Sequence, residues 1–351
     1  MIVRSGNRTE ARAASLVALC LVGAWAIPRP AAAQSTSDWL HHAARQTSIA
    51  ARDSGAMMRL VRPLSESVQR SVVQVFCGGR IASLGTVVAA DGYVITKRSE
   101  LSSDPITVRL PNGEKVAARI GAVRRSNDLA LLKIEGDASK WGIEPVNLNG
   151  TDAATGGFLV SPGRNGYTVG FGVVGAAARR VDHDGRLGVR FYDTPTGPAM
   201  VRGVFPQSGA FDAGLQERDQ ILKINGNKML GSHAAIMTLR ELYPGEVVRL
   251  TIMRGEDMLE LDAMMSDERL LQETKNDAKV NGPRNVRLSG FDSVIQHDTV
   301  LSPNQCGGPV LDSSGNLVGI NIARAGRVVS YALPVSLVAA EVVSMLDESR
   351  Q

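Results

Sequence analysis

The residue best equipped for chemistry is Cys306, in the loop Pro303-Asn304-Gln305-Cys306-Gly307-Gly308-Pro309. A thiol with an ordinary pKa of about 8.5 is a few per cent thiolate at neutral pH, so it depends on a base less than a hydroxyl does. Hydrolysis still calls for a base, an orienting acid and N–H donors for the developing oxyanion. His297 lies nine positions before Cys306 and could serve as a substitute base, but a satisfied or exposed histidine is the expectation. His183 is expected in a linker and His233 in the first turn of a helix. Lys97 and Arg98 would lower the pKa of a nearby thiol; they are expected as solvated charges at a strand end. Cys77 can pair with Cys306 only if the fold brings the two together. No cluster has metal-ligand spacing, and no cofactor is expected.

The elements that must position these residues are short. From Ser71 onward, β-branched runs alternate with glycine-containing turns: 72–76, 85–88, 93–96, 106–110 and 129–134, separated by Asp91-Gly92, Pro111-Asn112-Gly113 and Gly121. Regular short strands of this kind predict an antiparallel barrel or sandwich. Residues 156–181 continue the pattern. Residues 185–265 differ, with strands predicted at 187–192, 200–205, 220–224 and 247–253 and a helix near 232–242. Ser232 is read as its N-cap, and Pro244-Gly245 as its stop. Residues 266–284 are charged and read as a linker. Short strands return from Val286 and end in an amphipathic tail from Pro334 to Leu346. One module therefore interrupts another.

The amino terminus reads as an export leader. Arg4, Arg8 and Arg12 precede an apolar run from Ala13 to Ile27, and Ala31-Ala32-Ala33 offers small residues before Gln34. The expectation is cleavage after residue 33 and a periplasmic or secreted product, with an uncleaved membrane anchor as the alternative. The chain carries a net charge of +4. Residues 1–33 hold four arginines and one glutamate, so the rest carries about +1. No basic stripe or aromatic platform remains for nucleic acid. Residues 34–69 are read as a helical or disordered arm, since Trp39, Leu40, Met57, Met58, Leu60 and Val61 stand at partly helical spacing; a poorly ordered linker is the favoured expectation.

Three segments, in order, resemble the HtrA-type serine protease family. Leu84-Gly85-Thr86-Val87-Val88 followed by Asp91-Gly92-Tyr93-Val94-Ile95-Thr96-Lys97-Arg98-Ser99-Glu100-Leu101 resembles the strand pair that ends on the family's catalytic histidine; Ser99 stands at that position. Asn127-Asp128-Leu129-Ala130-Leu131-Leu132-Lys133-Ile134 resembles the segment that carries the catalytic aspartate, retained as Asp128. Ile295-Gln296-His297-Asp298 and the Cys306 loop resemble the nucleophile segment, with Cys306 at the serine position. Within the interrupting region, Ser208-Gly209-Ala210-Phe211-Asp212-Ala213-Gly214-Leu215 and Asp219-Gln220-Ile221-Leu222-Lys223-Ile224-Asn225-Gly226 resemble a PDZ domain.

The resemblance implies a mostly β chain: a trypsin-like double barrel over 70–181 and 283–346, a PDZ domain over 182–266, and a linker over 267–282. It implies an oxyanion loop at Asn304, Gln305 and Cys306, where Asn304 replaces a glycine. It also implies a peptide groove lined by Leu187, Gly188, Val189, Ile236 and Leu239, with Leu187-Gly188-Val189 holding a terminal carboxylate. With Ser99 in place of an imidazole, the expected function is a catalytically impaired relative that binds peptide C termini or misfolded envelope proteins. The alternative is an endopeptidase or thiol hydrolase using Cys306. Trimers, or mixed oligomers with active relatives, are implied as partners.

Overall fold

The computed structural model describes residues 54–101 and 104–351. The expected leader over 1–33, and the arm as far as residue 53, lie outside the described residues. In the rest of that arm the helical alternative is the one observed, not the favoured poorly ordered linker. Residues Gly55–Ser67 form a helix, α1, capped by the Ser54 side chain accepting from the Met57 N–H. The helix docks on the second barrel: Val61 and Ser65 are buried, and Ser65 shares a 2.7 Å hydrogen bond with Thr168. Its buried stripe is narrow, so the helical spacing is only partly legible in the sequence.

The fold is mostly β. Strands β1 (Val72–Cys77), β2 (Arg80–Ala89), β3 (Tyr93–Lys97), β4 (Ile106–Arg109), β5 (Lys115–Arg124) and β6 (Leu129–Ile134) close a barrel in the order β1-β2-β3-β6-β5-β4. Leu129, Leu131, Leu132 and Ile134 of β6 are wholly buried because this strand is sandwiched between two cores, which explains its nearly unbroken apolar run. Its register against β3 sets Lys97 opposite Leu129, one residue from Asp128.

Strands β7 (Phe158–Pro162) and β8 (Thr168–Val181) begin a second barrel, and the chain then leaves it. Residues 185–264 supply β9 (Gly185–Arg186), β10 (Val189–Phe191), β11 (Ala199–Val204), helix α2 (Gly209–Asp212), β12 (Gln220–Ile224), β13 (Asn227–Lys228), helix α3 (Ser232–Arg240), β14 (Val247–Arg254) and β15 (Asp257–Met264). A sheet of order β10-β11-β12-β14-β15 carries its own core, and β10 lies at its edge. Ser232 does not cap α3. Gly231 is the N-cap, and the Ser232 hydroxyl exchanges hydrogen bonds with the Thr194 backbone instead.

The expected linker is also structured. Strand β16 (Ser266–Asp267) pairs with β9, and helices α4 (Glu268–Leu271) and α5 (Lys275–Asn281) follow. Thr274 and Asp277 form a reciprocal capping box at the start of α5. The second barrel then resumes with β17 (Phe291–His297), β18 (Pro309–Leu311), β19 (Leu317–Gly326) and β20 (Val329–Pro334), closing as β17-β20-β19-β18-β7-β8. Helix α6 (Val335–Arg350) buries Val335, Val338, Val342 and Met345, a stripe at helical spacing. These side chains belong to the core shared by the two barrels.

Candidate functional site

The site lies where the end of β3, the start of β6 and the Cys306 loop converge. Asp128 is completely buried, with its backbone in the left-handed region at φ 56°. The Arg98 N–H donates to its carbonyl at 2.8 Å, which ties the end of β3 to this turn. Its carboxylate accepts from the Ser99 N–H at 2.9 Å, from the Ser99 hydroxyl at 2.8 Å and from the Lys97 ammonium. The Arg287 guanidinium lies 3.9 Å from the same carboxylate. Burial alone would raise the Asp128 pKa. The two cations and the hydrogen bonds from Lys97 and Ser99 outweigh it and hold the group below the usual carboxylate range.

Lys97 corrects the expectation of a solvated charge. Its side chain is wholly buried and ion-paired to Asp128. The strand register brings the ammonium beside the carboxylate, and a buried ammonium without a counter-charge would be far more costly. Arg98 is partly buried and reaches Glu246 at 3.3 Å. Arg287, which sequence reasoning missed, has its guanidinium hydrogen-bonded to the backbone carbonyls of Arg125, Ser126, Ser289 and Gly290.

Cys306 is fully buried, and no bond joins it to Cys77. Its Sγ donates to Asn285 Oδ1 at 3.3 Å. Burial pushes the thiol up to about 12; Lys97 opposes the shift, while Glu100 and Asp128 add to it. The group is therefore a thiol, not a thiolate, at neutral pH. Gly307 is held at φ 90°, and a Cβ there would lie 2.1 Å from the Leu84 carbonyl oxygen, so only glycine fits. The Leu84 N–H in turn donates to the Cys306 carbonyl at 2.9 Å, docking the loop on β2.

The loop expected to hold an oxyanion is closed on itself. Pro303–Gln305 make one 3₁₀ turn, in which the Gln305 N–H donates to the Ser302 carbonyl at 2.9 Å and the Cys306 N–H to the Pro303 carbonyl at 3.2 Å. Asn304 does not adopt a left-handed backbone here. These N–H groups serve the turn rather than a reacting oxygen.

Two further segments cover this centre. Asn285, on the return from α5 to β17, uses every polar atom of its amide. Its Oδ1 also accepts from the Arg324 N–H at 2.7 Å, and its Nδ2 donates to Glu100 at 2.7 Å and to the Pro303 carbonyl at 3.2 Å. Its backbone N–H meets the Arg324 carbonyl at 3.4 Å, so this segment lies along β19. The Arg324 guanidinium binds the carbonyls of Asn281 and Pro283, and Arg284 pairs with Glu273. Gly245, in the turn after α3, packs against Ser99, and neighbouring Glu246 is bound by Arg125 at 2.6 and 2.7 Å. Nothing in the local sequence marks Asn285; its partners lie 18 to 185 positions away.

None of the three described histidines hydrogen-bonds to the sulfur. His297 is buried on β17, with Nδ1 2.8 Å from the Thr299 hydroxyl and Nε2 without a hydrogen-bond partner. Burial lowers its pKa to about 4, although Asp298 and Asn321 favour the protonated ring. His183 packs on Tyr243 with ring centres 4.7 Å apart, and His233 is exposed on α3.

A second candidate site is a cavity of about 540 Å³ between β10 and α3. Leu187, Gly188, Val189, Ile236 and Leu239, the residues expected to form a peptide groove, all line it. Leu187 is also a core residue, only 2% exposed, so it shapes the loop more than it contacts solvent. Gly188 sits at φ 86°, and a Cβ there would fall 2.1 Å from Ser208 Cβ. The Leu187 and Gly188 carbonyls accept from Ala210 and Phe205 N–H groups at 3.0 and 2.8 Å, which fixes the loop's peptide planes. Glu268, Leu271 and Gln272 also line the cavity, a contribution not foreseen from sequence.

Comparison with known proteins agrees with this architecture. The trypsin-like peptidase domain family matches residues 83–203, and the PDZ domain family matches residues 185–264. The chain is thus a trypsin-like fold that carries a PDZ domain. The two matches and the relative below support an HtrA-type arrangement, a serine endopeptidase-like fold with a PDZ domain. A probable periplasmic serine endoprotease DegP-like from Ectopseudomonas mendocina (strain ymp) is 37% identical over 106 residues, 28% of this chain and 21% of that protein; the likeness spans about a fifth of that relative's length. Among solved structures, the MamO protease domain from Magnetospirillum magneticum in its apo form is 18% identical with a TM-score of 0.38, covering 78% of this chain and 96% of that one. The serine endoprotease from Yersinia pestis is 19% identical with a TM-score of 0.28, covering 59% and 97%.

Proposed function

We propose that this chain is a non-catalytic HtrA-like protein of the periplasm that holds peptide or unfolded-protein C termini in its PDZ groove. One observation carries the loss of catalysis. The position of the general base is taken by Ser99, whose hydroxyl and N–H both serve Asp128, and the remaining charge on Asp128 is met by Lys97. An acid so engaged orients no imidazole, and a hydroxyl cannot accept the nucleophile's proton at a useful rate. The buried Cys306 thiol, with its pKa near 12, and the inward-bonded 3₁₀ turn support the same reading. The periplasmic name of the bacterial relative supports the location.

The groove supplies the remaining function. An extended peptide can add to the free edge of β10 while its terminal carboxylate meets the Leu187-Gly188-Val189 loop and its last side chain enters the apolar cavity. Self-association, or assembly with active relatives, belongs to the same proposal and is read by light scattering and co-purification. The direct test is binding of dye-labelled peptides with free or amidated C termini to the wild-type chain and to Ile236→Lys. Binding that needs the free carboxylate and is lost in the variant supports the proposal. Binding indifferent to both refutes it.

A further inference from the structure

The groove is basic. Its lining includes four arginines, Arg186, Arg190, Arg202 and Arg240, and one acid, Glu268. Glu268 is already taken, 2.6 Å from Arg186. Among the described residues, Arg190, Arg202 and Arg240 form no ion pair with a carboxylate. Two of them are nevertheless held in place. The Arg190 guanidinium lies over the Phe205 ring at 4.8 Å, and that of Arg202 over the Tyr192 ring at 6.0 Å. Stacking on an aromatic face fixes the plane of a guanidinium and leaves its N–H edge open for a carboxylate.

The strand geometry says which ligand side chains these groups meet. Val189 and Phe191 are half-buried and pack on the core of this unit, whereas Arg190 between them is exposed. Side chains alternate across a strand, and a strand added to β10 follows the same alternation. With the terminal carboxylate at Leu187-Gly188-Val189, the last and third-from-last side chains face the α3 groove. The second- and fourth-from-last face the side of Arg190 and Arg202.

Building on the groove's role as a peptide site, we infer that it selects polypeptide C termini with acidic side chains at the second- and fourth-from-last positions behind an apolar last residue. The occupant is thus an acidic, apolar-ended terminus, recognised by charge at its outer face and by apolar burial at its end.

The test uses the full chain and three dye-labelled peptides with the same apolar last residue. They carry glutamate, glutamine or lysine at the two outer positions. Anisotropy is read at low and at raised salt, with an amidated form of the glutamate peptide as control. Exposed ion pairs are each worth a factor of about two to five, so the glutamate peptide is expected to bind about tenfold tighter than the glutamine peptide at low salt, with the gap narrowing as salt rises. The double substitution R190E/R202E should cancel or invert that ratio. Equal affinity for glutamate and glutamine peptides on the wild-type chain would overturn the acidic preference and leave the groove standing. Failure of every free-acid peptide to bind, or equal binding of the amidated control, would overturn the groove reading itself.

Discussion

Lowering the pH from 7 to 5 should destabilise this protein through a single buried imidazole, that of His297. The ring is 1% exposed and its pKa falls from the ordinary 6.5 to about 4. For a depressed histidine the folded state favours the neutral ring, so its contribution is fully present above the unfolded value of about 6.5. That contribution shrinks as pH falls towards 4, because the unfolded chain binds a proton that the folded chain refuses. One unit of difference is worth about 1.4 kcal/mol, so the loss between pH 7 and pH 5 comes to roughly 2 kcal/mol. Asp128 and Glu246 are depressed carboxylates. Their contributions persist above the ordinary carboxylate range and fade only below it, outside this interval. Urea unfolding at a series of pH values measures the slope. His297→Asn keeps a polar atom near Nδ1 for Thr299 and removes the titration, so its stability should be flat over the same interval. Equal slopes for wild type and variant would show that the ring is solvated or charged, and would reopen its candidacy as a base.

Asp128→Asn should act on stability more than on any rate. It leaves Lys97 buried without its carboxylate, which costs about 3–5 kcal/mol, read as a shift of the urea midpoint; a shift worth under about 1 kcal/mol would deny the closed cluster. Asn285→Ala strands the buried Arg324 N–H, at about 1–3 kcal/mol, and removes a donor from the half-buried Glu100 carboxylate. It should also speed alkylation of Cys306, followed by mass spectrometry under native conditions. Gly188→Ala meets both the φ of 86° and the 2.1 Å approach to Ser208. It should cost about 1–3 kcal/mol and abolish peptide binding in the anisotropy assay.

Much of the fold was legible because short strands, glycine turns and motif spacing are local signals. Strand β12 matches its expected range, and α3 ends two residues short of it. The errors were long-range. Lys97 reads as a solvated strand end until the pairing of β3 with β6 sets it beside Asp128. Asn285 belongs to a stretch without periodicity, and only the return of the chain along β19 gives its amide four partners. Helices α4 and α5 were hidden in polar composition, since neither has a buried residue and both are under eight residues long. At the candidate site the residue types were readable one by one; their closure on each other was not.

Hydrolysis of a quenched casein substrate by the wild-type chain and by Cys306→Ala, under reducing conditions, asks directly whether this thiol turns over a substrate. The two are expected to be indistinguishable from each other and from buffer. Turnover by the wild type that disappears in Cys306→Ala would contradict that expectation.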